Sequence, residues 1–160
     1  MPNFVDKDTT MLGELNDKQM EDLLKAQVTG RLGCHANGIT YVVPVNYTYD
    51  GNYIYAHSSD GKKISMMRKN PEVCFEVDMI ENVFRWKSVI AWGKFEEIID
   101  QEEKQRIMQG IIHRIMPLVN NPTGHPSHGI TANDSDVGTV VELIIYRIAI
   151  HKKTGRFEQG

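Results

Sequence analysis

Cysteine is scarce in this 160-residue chain: Cys34 and Cys74 are the only two, far apart and in no C-x-x-C arrangement. That spacing argues against a disulfide scaffold and a paired-cysteine metal signature. Both cysteines sit in strand-like contexts, where a buried, reduced thiol is expected. Apolar runs stay strand-sized, well short of the ~20 residues a membrane helix needs, so no membrane partner is expected. Neither acids nor bases dominate, with 18 Lys and Arg against 21 Asp and Glu. With a net charge of −3 and no basic cluster of more than a few residues, nucleic acid is not an expected partner. The opening Met1-Pro2-Asn3-Phe4-Val5-Asp6 lacks the basic-then-apolar form of a signal peptide, and a cytoplasmic location is expected.

Several catalytic signatures are also absent. There is no G-x-G-x-x-G fingerprint for a resident dinucleotide. The Walker phosphate loop needs glycine five positions before Gly61 and Ser or Thr after the first lysine, where the chain has Ala56 and Lys63. No serine, histidine and acid assemble into a triad, so hydrolysis has no support. His125-Pro126-Ser127-His128 could suggest a metal, but Pro126 prevents the helical geometry that would place both imidazoles on one face; no metal site is expected. Internal repeats and linkers are lacking, which leaves one domain over 1–160.

What is present concentrates between Tyr41 and Asp78. Tyr41 to Tyr49 is rich in β-branched and aromatic residues, Asp50-Gly51-Asn52 is a hairpin signal, and Tyr53 to His57 returns. Ser58-Ser59-Asp60-Gly61-Lys62-Lys63 then opens a short helix that Asn70-Pro71 ends. Hydroxyls, a flexible glycine and two ammonium groups at outward-pointing helix N–H groups make an anion site suited to a phosphate. The same run also suits an ordinary helix N-cap with solvated lysines, although lysines in a first turn oppose the helix dipole.

Around this segment the pattern is mostly strand. Asn16 and Gln19 form a capping box for a helix carrying Met20, Leu23, Leu24 and Val28, which Gly30 should stop. Gly30 to His35 should be a strand, and Val73, Phe75, Val77 and Met79 alternate as the buried face of another. Ser88 to Ile98 places Val89, Ala91, Gly93 and Phe95 on one face and Ser88, Ile90, Trp92 and Lys94 on the other. Asp100 to Val119 reads as a helix, Asn120 to Asp136 as a loop, and Thr139 to His151 as a central strand, apolar on both faces. Pro44, inside an otherwise good strand, marks an edge, a bulge or a place where something other than a strand approaches, and is read as the opening of the barrel. The expected fold is mainly β: a small antiparallel barrel with flanking helices.

The ordered set Val43-Pro44-Val45-Asn46, Tyr53-Ile54-Tyr55-Ala56-His57-Ser58, Gly61-Lys62-Lys63, Asn70-Pro71 and Val73-Cys74-Phe75 resembles the flavin-binding split-barrel superfamily of pyridoxamine 5′-phosphate oxidase. Within it the set is most similar to the nitroimidazole-resistance branch. The resemblance spans Gly30 to Ile98 and returns at Lys152-Lys153-Thr154-Gly155-Arg156. It implies a six-stranded antiparallel split β-barrel, a homodimer, and FMN between subunits, with FAD possible in the same pocket.

Residue by residue, the resemblance implies that Lys62 and Lys63 hold the phosphate, with His57 and Ser58 near the phosphate and ribityl chain. Val43, Pro44, Val45, Asn46 and Tyr47 would run beside the isoalloxazine, and Ser88 would fall near the ring. Trp92 shares its face with Ser88 and could pack the barrel or line the cleft. The oxidase itself ends in a segment with tryptophan and arginines, whereas here Trp86 and Trp92 lie earlier and the tail has only Arg147 and Arg156. Reduction of small nitroaromatic compounds is therefore the expected activity, with a reduced nicotinamide or other donor binding transiently. No side chain is an obvious general acid; His57, the catalytic candidate, or Tyr47 would donate a proton only where the cleft geometry allows. Two alternatives stay open: a haem-handling barrel using His57, His125 or His128, and a flavin-binding protein without turnover.

Overall fold

The computed structural model describes residues 12–118 and 143–160. A short strand β1 (Leu12–Glu14) precedes helix α1 (Asp17–Ala26). Strands β2 (Thr29–Ala36), β3 (Ile39–Asn46), β4 (Thr48–Tyr49) and β5 (Tyr53–Ser58) follow, then helix α2 (Lys62–Lys69). Strands β6 (Glu72–Asn82) and β7 (Arg85–Glu97), helix α3 (Gln101–Ile115) and strand β8 (Ile144–Gln159) complete the order. All strand pairs are antiparallel, in the order β3-β2-β6-β7-β8-β5-β4 with β1 on β8. The six principal strands are those expected from sequence; β1 and β4 are short additions. Among the described residues, no helix is long and apolar enough to cross a membrane.

Local chemistry explains most of the turns. Asn37 and Gly38 both take positive φ (52° and 75°) in the two-residue β2–β3 hairpin, as a right-twisted connection requires. Gly51 (φ 101°) does so between β4 and β5, where Asp50 Oδ1 accepts the backbone N–H groups of Asn52 and Tyr53. The Asn16–Gln19 capping box forms, each side chain accepting from the other's backbone N–H at 2.9 Å.

Helix α1 ends earlier than its periodicity suggests. Gln27 is its C-cap, and Arg114 of α3 donates to the terminal carbonyls of Lys25 and Ala26 at 2.7 and 3.0 Å. Gly30 is thus no helix stop. It lies inside β2, where a Cβ would stand 2.3 Å from Cε1 of Phe75, so it is there to let the Phe75 ring approach.

The barrel interior holds Leu32, Ile54, Phe75, Val77, Val89, Ala91 and Ile148, plugged at one end by Leu23 and Leu24 of α1 and flanked by Ile64 and Met67 of α2. Met79, expected on this buried face, lies past the core and is exposed. A second apolar cluster joins Ile107, Met108, Ile111 and Ile115 of α3 to Leu143 and Ile145. Strand β8 is central, with Tyr146 and Ile148 inward and Ile145 toward α3. It runs on to Gln159, and of its expected start residues 139–142 lie outside the described residues.

Among the described residues strand β3 is an edge, paired with β2 alone, and Pro44 stands opposite Arg31. At Tyr47 the chain leaves β2 and continues as β4, which pairs with β5. The barrel is therefore split between the end of β3 and the end of β5.

Candidate functional site

A cavity of about 360 Å³ occupies that split. One wall is the end of β3, contributing Pro44, Val45 and Asn46, with Thr29 beside it at the start of β2. The opposite wall is the end of β5, contributing His57 and Ser58, followed by Ser59 and by Lys63 from the first turn of α2. The volume is at the lower end for small-molecule sites, and its apolar wall facing a polar end is a common pocket design.

Lys63 is the unusual member. It is half-buried, and burial pushes its pKa below the ordinary lysine value, with only the nearby Cys34 opposing the shift. Among the described residues no carboxylate lies within ion-pair range of its ammonium. No side chain among the described residues caps the α2 N-terminus next to it. Gly61 holds the N-cap position, and the Ser58 hydroxyl donates to the Ser59 carbonyl at 2.7 Å instead. The expected N-cap role of the serines therefore does not form, and the helix N–H groups stay available beside a cation. Burial without a partner costs such a cation free energy that a bound anion offsets.

At the other end, Thr29 and Asn46 face each other in register, and the Thr29 hydroxyl donates to Asn46 Oδ1 at 2.7 Å. With the amide oxygen engaged, the Asn46 N–H₂ group is the polar end left to face a ligand. His57 is almost fully buried, 9% exposed, in the wall between these two ends.

Not every expected residue reaches the cavity. Val43 is half-buried against the core. Tyr47 turns inward: it is 1% exposed and donates to the Leu24 carbonyl at 2.6 Å, which anchors α1 and leaves it no proton to deliver to a ligand. Its hydroxyl pKa is raised far beyond the ordinary phenol range by burial. Lys62 lies outside the lining, its Nζ 5.0 Å from the centre of the Tyr41 ring. Ser88 sits on the outer face of β7, donating to Glu76 Oε2 at 2.8 Å. Trp92 shares that outer face, with Lys152 Nζ 5.2 Å from its ring centre. Ser59, from the expected run of hydroxyls, lines the wall, and Thr29 joins it unexpectedly; the signal for Thr29 is its register opposite Asn46, which needs the β2–β3 hairpin to be placed first.

His125 and His128 lie outside the described residues. Among the described residues, no cluster of three or more His, Cys, Asp or Glu side chains could hold a metal ion.

An antiparallel barrel split beside an edge strand, with a half-buried lysine at the mouth of the split, defines a protein of the split β-barrel class. Residues 16–156 match the family model of pyridoxamine 5′-phosphate oxidase, and the chain belongs to that family. An FAD-binding protein of Mesorhizobium loti has a similar structure, 28% identical, with a TM-score of 0.72 over 92% of this chain and 99% of that one. A protein assigned to 5-nitroimidazole antibiotic resistance, from Bacteroides thetaiotaomicron, superposes with a TM-score of 0.70 over 91% of this chain and 87% of its own. It is 22% identical, a likeness of fold. An uncharacterized protein of Rhizobium meliloti is 25% identical over 142 residues, covering 89% of this chain and 92% of its own.

Proposed function

We propose that the cleft between β3 and β5 binds a flavin and that the protein reduces small oxidised aromatic compounds, nitroaromatics first among them. The half-buried Lys63 ammonium, with no carboxylate partner among the described residues, carries this reading: it calls for an anion in a slot whose apolar wall is Pro44 and Val45. The family and the FAD-binding relative supply the kind of anion. Flavin, when bound, supplies two-electron chemistry by hydride acceptance and donation.

The chain's own residues divide the work. Lys63, Ser58 and Ser59 hold the first phosphate, helped by the uncapped start of α2. Pro44 and Val45 form the wall for the ring, and Asn46, fixed by Thr29, donates from its amide. His57 is placed to hold or pass a proton where the wall meets the open cleft. Reducing a nitro group to nitroso takes two electrons and two protons and releases water. A transiently bound reduced nicotinamide supplies the hydride and solvent the second proton.

A homodimer completes the site. β3 is an open edge, and the outer face beside it bears an exposed Val42 and a cavity of about 310 Å³ lined by Val42, Cys74 and Trp92. Edges and apolar faces of this kind are normally paired or covered. Ser88 and Trp92 would then approach the cleft of the partner subunit rather than their own.

The test is anaerobic. Chemically reduced, flavin-loaded protein mixed with a 5-nitroimidazole should reoxidise as the nitro absorbance is lost, and His57→Ala should slow that step. A reduced protein stable to nitroimidazoles and quinones alike would instead make this a flavin-binding protein without turnover.

A further inference from the structure

Lys63 stands where an amine finds its positive charge hard to keep. It is the second residue of α2, behind the Gly61 N-cap and Lys62, and no acid lies in this first turn. The positive end of the helix dipole and the adjacent Lys62 ammonium both disfavour a further positive charge there. Asp60, the acid nearest in sequence, pairs with Arg68 at 3.1 Å instead.

The cavity adds to this. Lys63 is half-buried, and the wall opposite is the apolar pair Pro44 and Val45. The ionisable groups around it on other elements are His57 of β5 and Cys34 of β2. Burial pushes the Lys63 pKa below the ordinary lysine value, and only negative charge on Cys34 opposes it. Burial also raises the Cys34 pKa, so at neutral pH Cys34 is a thiol and brings no such charge. Lys62 offers a contrast one residue away: it is exposed over the Tyr41 ring and takes no part in the cavity.

A lysine desolvated in a pocket beside another cation is an amine suited to attack carbonyl groups. We infer that Lys63 condenses with small aldehydes in the empty cleft, a covalent binding activity distinct from flavin binding. The Nζ lone pair forms a C–N bond while the carbonyl π pair moves to oxygen, which takes up a proton. Nitrogen then releases a proton, the hydroxyl leaves as water, and a C=N bond remains. Amine and aldehyde thus give imine and water, with no net oxidation or reduction. A phosphate calls on the ammonium and an aldehyde on the free amine, so the two ligands exclude each other.

Reductive trapping tests it on the full-length, flavin-free protein. Benzaldehyde with cyanoborohydride at neutral pH converts an imine into a stable benzylamine, which peptide mapping by mass spectrometry assigns to a residue. Lys63 should carry several-fold more label than Lys62. Its labelling should rise with pH through a midpoint below 10.5, the ordinary lysine value. FMN added first should suppress the Lys63 adduct; selective labelling that FMN does not suppress would support the aldehyde site and count against the flavin cleft alone. Equal labelling of the two lysines, no label on Lys63, or an ordinary lysine midpoint would overturn the inference.

Discussion

Removing Lys63 should have opposite consequences for ligand binding and for the empty protein. Its ammonium is half-buried among Val45, Ser58 and Ser59 with no carboxylate within ion-pair range among the described residues, so the empty site holds an uncompensated charge. A charge-assisted hydrogen bond to a phosphate is typically worth ~1.5–3 kcal/mol, so Lys63→Ala should weaken flavin by about 10- to 150-fold. The apoprotein should lose no stability, because the substitution also removes a charge that burial disfavours. The two quantities are read separately, by fluorescence titration of flavin and by thermal unfolding of flavin-free protein.

A pH dependence accompanies this. Burial lowers the Lys63 pKa in the empty protein. A bound phosphate favours the ammonium, so binding takes up a proton at alkaline pH. Affinity should therefore fall with rising pH at values below those of an ordinary lysine, and this fall should vanish in Lys63→Ala. Unchanged flavin affinity together with a destabilised apoprotein would refute the reasoning and reduce Lys63 to a packing residue.

Three further expectations follow from particular contacts. Glu76 has its pKa raised, by burial first and by the neighbouring Asp78, against the pull of Ser88 and Arg31. Its stabilising contribution is therefore present below the ordinary value of 4.5 and lost as pH rises through the raised one. Glu76→Gln should flatten the stability profile and gain on the natural chain as pH rises above 4.5; a difference independent of pH would count against it. Gly30→Ala drives a Cβ to 2.3 Å from Phe75 and 2.8 Å from the Glu76 carbonyl, which should cost ~1–3 kcal/mol in denaturant unfolding; an unchanged midpoint would mean the ring yields freely. Light scattering should report twice 18.2 kDa for the natural chain, and a monomer that still holds flavin tightly would remove the partner subunit from the site.

The strands were legible because one or both faces are buried. Val73, Phe75 and Val77 alternate with Cys74, Glu76 and Asp78, and Pro44 declared its edge by lacking a ladder donor. Helix boundaries were less so. Val28 and Gly30 fit the α1 periodicity, yet tertiary contacts decided the outcome: Arg114 closes the helix from 87 to 89 residues away, and Phe75 requires a glycine in β2. At the site, Lys63 and Ser58 could be read from local chemistry, and Asn46 only from the family resemblance. Thr29 could not, because its role depends on standing across the ladder from Asn46. Tyr47 reads as a site residue in the strand pattern but turns inward where the chain passes from β3 to β4. Neighbouring lysines look alike in sequence, and only the helical projection separates Lys63 in the cavity from Lys62 over Tyr41.

The visible absorption spectrum of the protein after incubation with flavin and desalting tests the central claim most directly. A structured flavin band at about 450 nm, retained at one flavin per chain in the natural protein and depleted in Lys63→Ala, is the expected result. A colourless protein that releases all flavin on desalting, or one that instead retains haem with a band at about 400 nm, would contradict a flavin cleft between β3 and β5.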